Sequence, residues 1–166
     1  MKCAKCDSPT AGKSKYCQAH RAAARTAWKK MIQDKAKERD ARDAGFTEIF
    51  QQAIIQGEAA GAAIVPEPMT VIGTENPLDD NARVVAKYHV PEGVCGFAWV
   101  KVTPGNCPFA NWLKKNDLAR KSYNGGVDIW VSYGGQSYER KTAYARAMAD
   151  TLKQFGINCY ASGRLD

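Results

Sequence analysis

The sequence contains no run near the roughly 20 apolar residues that a membrane-spanning helix requires. Its opening, Met1-Lys2-Cys3-Ala4-Lys5-Cys6, has no apolar signal-peptide core, so a cytoplasmic protein is expected. No internal repeat is present. Neither Gly125-Gly126 nor Gly134-Gly135 fits a P-loop or a dinucleotide fingerprint, which removes those nucleotide sites. Glycine and proline are missing from residues 18–42, which leaves that stretch free to be helical. Histidine is scarce, with two in the chain, His20 and His89. No spacing links His89 to an acid such as Asp128 in the way that acid–base work needs, and a non-enzymatic protein is expected.

Acidic residues are also scarce at one end. Residues 1–42 hold 12 Lys/Arg against 4 Asp/Glu, a net +8. Residues 43–90 carry 2 against 7, net −5, and residues 91–166 carry 10 against 6, net +4. Two basic modules flanking an acidic middle suit an anionic partner such as nucleic acid, although solubility alone also favours a net charge.

Three of the six cysteines fall in the first 17 residues. Without a secretion signal the thiols should stay reduced, and a Cys/His cluster then reads as a metal site. The pattern is Cys3-x2-Cys6-x10-Cys17-x2-His20. A Cys-x-x-Cys turn brings two thiolates to one ion, and residues three apart at a helix start share a face. Four N/S ligands suit tetrahedral Zn²⁺, and a closed four-ligand site is structural rather than catalytic. This arrangement resembles the short zinc fingers of treble-clef type over residues 3 to about 30. Cys95, Cys107 and Cys159 read as ordinary buried or half-buried thiols.

After the ligands, Arg21, Arg25 and Lys29 recur at i, i+4, i+8, followed by Lys30. One helical face would present cations to phosphates. Trp28, Met31 and Ile32 on the same helix are expected to pack on the finger or on the C-terminal domain. Gly45 is expected to interrupt the helix. Phe46, Ile49, Phe50, Ala53, Ile54 and Gly57 then form the apolar stripe of a second, amphipathic helix. Pro66, Pro68, Gly73, Pro77, Asp79 and Asp80 mark a linker. The expected division is 1–64, a linker over 65–88, and a domain over 89–166.

The C-terminal part alternates with period two over 94–102 and 126–133, with a weaker strand at 118–123 and a last one at 157–161. Asn124-Gly125 fits a two-residue type I′ turn. Pro108 opens a short helix, while Ser137 and Gly156 bracket a longer one. The order β-α-β-β-α-β is the split-βαβ, ferredoxin-like arrangement, an α+β fold with both helices on one sheet face. Ala98, Val100, Ile129, Val131, Ile157 and Cys159 should face the helices. Phe97, Trp99, Lys101, Trp130 and Tyr160 should lie opposite. Aromatics on the central strands of such a sheet resemble RNA-recognition-motif domains, where they stack bases. The helix over 46–57, or a homodimer, is the competing cover for that face. Arg120, Lys121, Arg140, Lys141, Arg146 and Arg164 are further candidates for a phosphate path.

The stretches Cys95-Gly96-Phe97-Ala98-Trp99-Val100, Gly125-Gly126-Val127-Asp128-Ile129-Trp130-Val131-Ser132 and Ala161-Ser162-Gly163-Arg164-Leu165-Asp166 resemble a family of small uncharacterised bacteriophage-encoded proteins. The resemblance implies a setting, the cytoplasm of a host cell, and not a mechanism. The expected function is therefore a zinc-containing nucleic-acid-binding protein, with a module that binds a host protein as the alternative.

Overall fold

The computed structural model describes all 166 residues. It is an α+β protein of three helices and two antiparallel sheets. Two compact units can be distinguished, Met1–Gly45 and Phe46–Asp166.

Helix α1 runs unbroken from Gln18 to Ala63, so Gly45 does not interrupt it. One glycine costs a helix about 1 kcal/mol relative to alanine. The long Ala-, Lys-, Gln- and Glu-rich flanks outweigh that. The helix stops just before Pro66 and Pro68, which bias the residues preceding them away from helical geometry.

The stripe of the second half is as the spacing predicts. Phe50, Ala53, Gly57 and Gly61 are buried, and Phe46, Ile49 and Ile54 pack against the core. Gly57 and Gly61 permit close approach. A Cβ at 57 would lie 2.9 Å from the Tyr144 ring, and one at 61 would lie 2.7 Å from the Tyr133 ring. Those two rings stack on each other with centroids 5.6 Å apart. Gly45 has open space around its Cβ position. Opposite outcomes follow for two substitutions, read by urea or thermal unfolding. Gly61→Val should destabilise by about 1–3 kcal/mol through overpacking. Gly45→Ala should stabilise by up to about 1 kcal/mol, and no gain there would count against a continuous helix.

The segment 65–88 is not a plain linker. Strands β1 (Met69–Thr74) and β2 (Val84–Val90) pair antiparallel into a hairpin of their own. Of the turn residues noted in the sequence, Pro77, Asp79 and Asp80 sit at its tip, 75–83, while Pro66 and Pro68 precede β1 and Gly73 lies within it.

The second sheet holds β3 (Gly96–Val102), β4 (Arg120–Lys121), β5 (Val127–Trp130) and β6 (Cys159–Leu165), in the order β4-β5-β3-β6. All neighbours are antiparallel, and Trp99 lies opposite Trp130. Helices α2 (Pro108–Lys115) and α3 (Tyr138–Gln154) make the crossovers. The Cys107 sulfur accepts from the Ala110 N–H at the start of α2, and the Ser137 hydroxyl accepts from the Arg140 N–H at the start of α3. Gly156, at φ 75°, follows α3 as expected of a left-handed helix end.

The strand over 118–123 shrinks to two residues, and the turn after it is not type I′ at Asn124-Gly125. Gly125 and Gly126 take the positive φ values, 81° and 78°, while Asn124 does not. The Ser122 N–H reaches the Gly126 carbonyl, so three residues rather than two make the loop. The core joins α1 beyond Phe46, α2 and α3 to one sheet face. Ala98, Val100, Ile129, Val131 and Cys159 are buried there, and Ile157 packs at the margin. Phe46 and Phe50 meet Trp112 of α2, at 6.0 and 5.8 Å between centroids. The amphipathic half of α1 therefore covers the helix side of the sheet and not the aromatic face.

Candidate metal centre and candidate nucleic-acid interface

Backbone hydrogen bonds shape the N-terminal knuckle before any ion is considered. Cys3 N–H donates to the Ser8 carbonyl, Ala4 N–H to Lys15, and Thr10 N–H to Met1. Gly12, at φ 58°, turns the loop back. The Arg21 N–H donates to the Cys17 carbonyl at 3.0 Å, so Cys17 stands at the cap position of α1 and His20 lies within its first turn. A thiolate is favoured there by the helix N-terminal dipole, and α1 carries no acid in its first turn to oppose it.

The donor atoms of Cys3, Cys6, Cys17 and His20 lie within 4.8 Å of one another, close enough to hold a metal ion. His20 Nδ1 is 3.4, 3.5 and 3.2 Å from the sulfurs of Cys3, Cys6 and Cys17, and the Cys6 and Cys17 sulfurs are 3.7 Å apart. Zn–S bonds near 2.3 Å and Zn–N bonds near 2.05 Å at tetrahedral angles set edges of about 3.8 Å for S···S and 3.6 Å for S···N. Those four edges match to within about 0.4 Å, and every donor pair lies within 4.8 Å, so the donor set fits a zinc-sized tetrahedral ion. All six cysteines are free of disulfides.

The thiols already deviate from ordinary behaviour. Burial pushes the Cys3 thiol up, but backbone hydrogen bonds from Cys17, Lys5 and Cys6 outweigh it and draw it down to about 6. Cys17 receives a lowering hydrogen bond from the His20 backbone, yet burial and the neighbouring sulfurs of Cys6 and Cys3 leave it raised. Crowded thiols cannot all ionise without a cation among them, which is the electrostatic task a metal would perform.

Beside this knuckle lies a groove of about 420 Å³, lined by Pro9, Ala11, Tyr16, Gln18, Arg21, Ala22 and Arg25. Arg21, Arg25, Lys29 and Lys30 are all exposed on α1. The ion pairs near this end involve other residues: Lys2 with Asp7, Arg39 with Asp40, and Arg42 with Asp43. Within their own unit, Trp28, Met31 and Ile32 do not pack on the finger. They are 60%, 36% and 48% exposed, because this half of α1 buries no residue.

On the second sheet, Phe97, Trp99 and Trp130 come together. The rings of Trp99 and Trp130 lie 5.0 Å apart, and those of Phe97 and Trp130 lie 6.2 Å apart. Trp130 and Tyr160 are about half exposed, at 47% and 49%. Arg164 lies over the Phe97 ring at 5.5 Å. Lys101 shares this face but is buried. Its ammonium donates to the Ser122 hydroxyl at 2.6 Å and to the Gly125 carbonyl at 3.5 Å, with Asp128 at 3.8 Å. The Trp99 indole N–H is buried without a partner.

The wider set of cations does not assemble into one path. Arg140 donates to the Ile64 carbonyl, and the buried Lys141 donates to the Gly96 carbonyl. Arg120, Lys121, Arg146 and Arg164 stay exposed. His89 is exposed on the hairpin strand β2, while Asp128 pairs with Lys101 on the four-stranded sheet. Ser122 escaped sequence reasoning altogether. A lone serine in a poorly alternating stretch gives no signal until the fold places it under a lysine.

No helix is long and apolar enough to cross a membrane. Comparisons of the chain with known protein families, with curated proteins and with solved structures find no match.

Proposed function

We propose that this is a nucleic-acid-binding protein whose N-terminus is a short zinc finger. The observation that carries the reading is the groove bearing Arg21 and Arg25 directly beside the four-ligand cluster, with Lys29 and Lys30 further along the same helix. Zinc would be held by Cys3, Cys6, Cys17 and His20, where its role is to fix the knuckle and the start of α1. The four cations would then meet phosphates. Phe97, Trp99 and Trp130 would offer a stacking surface for unpaired bases, with Lys101 holding Asp128 and Ser122 beneath it rather than meeting a phosphate itself. The strand order β4-β5-β3-β6 and the two helical crossovers support a ferredoxin-like reading of the sheet unit. The phage setting rests on the sequence resemblance alone.

The test is the salt dependence of binding to a fluorescent single strand and a duplex. Replacing Arg21 and Arg25 by alanine should weaken both and flatten the log–log salt slope by about 2, one per lost phosphate contact. Trp130→Ala should cost about 1–3 kcal/mol on the single strand and leave the duplex unchanged. A zinc-loaded protein that binds neither DNA nor RNA at low salt would sink the proposal.

A second reading has its own observation. The exposed Trp28, Met31 and Ile32 form an apolar patch on a helix, as a protein partner would require. A partner captured from nuclease-treated host lysate by the intact chain, and lost with Trp28→Ala, would favour that reading.

A further inference from the structure

The β1–β2 hairpin contains no buried residue anywhere from 69 to 90. Its base is fastened: the Glu67 N–H donates to the Glu139 carboxylate, and the Gln136 N–H to the Glu92 carboxylate, each at 3.1 Å. Above the base nothing covers it. Val71, Ile72, Val85 and Tyr88 are 44%, 54%, 56% and 62% exposed. A two-stranded hairpin alone is marginal in water, and apolar residues gathered on an exposed ribbon mark an interaction surface.

The two edges of the ribbon differ. Strand β2 carries Lys87 and His89, and an edge lysine discourages strand addition. Strand β1, Met69-Thr70-Val71-Ile72-Gly73-Thr74, has no charge and no proline. From Met69 to Ile72 its edge is unprotected, and the pairing becomes irregular only at Gly73–Thr74. The tip carries Glu75, Asp79 and Asp80 against Arg83, which is itself paired with Glu75 at 3.8 Å. That acidity disfavours nucleic acid as the occupant and points to protein.

We propose that β1 pairs antiparallel with β1 of a second copy of this chain, merging two hairpins into one four-stranded sheet about a two-fold axis. An uncharged strand meets its own copy without opposing like charges. A two-fold axis closes the contact, so it makes a dimer and not a filament. An axis perpendicular to the sheet keeps the same face of each hairpin on the same side. Val71 and Tyr88, opposite each other in the hairpin register, would join their copies in one apolar strip across four strands. A single strand pair is smaller than the standard interface of about 800 Å² per partner, so the dimer is weak and concentration-dependent.

Sedimentation equilibrium of the full, metal-bound, nuclease-treated chain tests this, from micromolar to several hundred micromolar. Wild type should move from the 18.2 kDa of one chain toward twice that mass. Val71→Lys and Val71→Glu each bring like charges together near the axis and should weaken association about tenfold or more. An equimolar mixture of the two should regain dimer. Circular dichroism and metal content checked beside wild type keep misfolding out of the comparison, since Val71 is exposed. A wild type that stays monomeric throughout would overturn the proposal and leave the ribbon to another partner. So would variants that associate like wild type, or a mixture that fails to recover.

Discussion

Stripping the metal with a strong chelator should unfold residues 1–20 and leave Phe46–Asp166 intact. The N-terminal segment has little core of its own. Its buried hydrophobics are Cys3 and Cys17, both members of the four-residue cluster, while the main core begins at Phe50. Binding of a structural zinc is worth about 10–16 kcal/mol in small peptides at neutral pH, far more than a handful of turn hydrogen bonds supply. Residue-resolved hydrogen exchange should therefore lose protection at Cys3, Ala4 and Thr10, whose amides are bonded within the knuckle. The first turns of α1 should fray as well, since that half of the helix buries nothing and rests on propensity and its anchored start. Elemental analysis should find one zinc per chain, and Cys17→Ser should abolish it. Acid should release the metal too, because protons compete for the thiolates and His20. Protection that persists in the knuckle after complete metal removal would refute the structural role.

Trp112→Ala should destabilise the second unit by about 3–5 kcal/mol, the range for deleting a large buried ring. Trp112 is 7% exposed. It stacks on Phe109 at 5.6 Å, meets Phe46 at a tilt and meets Phe50 edge-on. Deleting it opens a cavity between α2 and the start of the α1 stripe, where backbone on both sides resists collapse. The melting temperature should fall by roughly 10–20 °C. Metal content should stay at one equivalent, because the Cys3, Cys6, Cys17 and His20 cluster belongs to the other unit. A loss below about 1 kcal/mol would mean that residues 46–50 do not dock on α2.

Both expectations draw on features legible in the chain. The Cys/His cluster is readable because a site able to hold a metal needs a few residue types at short, fixed spacings. The stripe from Phe46 to Gly57 and the alternation over 96–102 are readable because each records which side of a local element is dry. The caps at Ser137 and Gly156 are readable because they answer local backbone needs.

Other features depend on energies no local window contains. Whether Gly45 breaks α1 is a contest between one residue's penalty and the helix on both sides of it. The hairpin over 69–90 looks like a linker because strand pairing is a relation between two segments, and its acidic tip with Pro77, together with Pro66 and Pro68 ahead of it, dominates the composition. Lys101 reads as a surface cation, yet Ser122, Gly125 and Asp128 converge on it from beyond its own strand and bury it. The sequence by itself determined the Cys3, Cys6, Cys17 and His20 cluster, the order of the sheet-unit elements and the inward face of each. The tertiary structure decided which side of the sheet α1 covers and which cations remain free for a partner, because burial is settled by what packs against a residue and not by its neighbours in the chain.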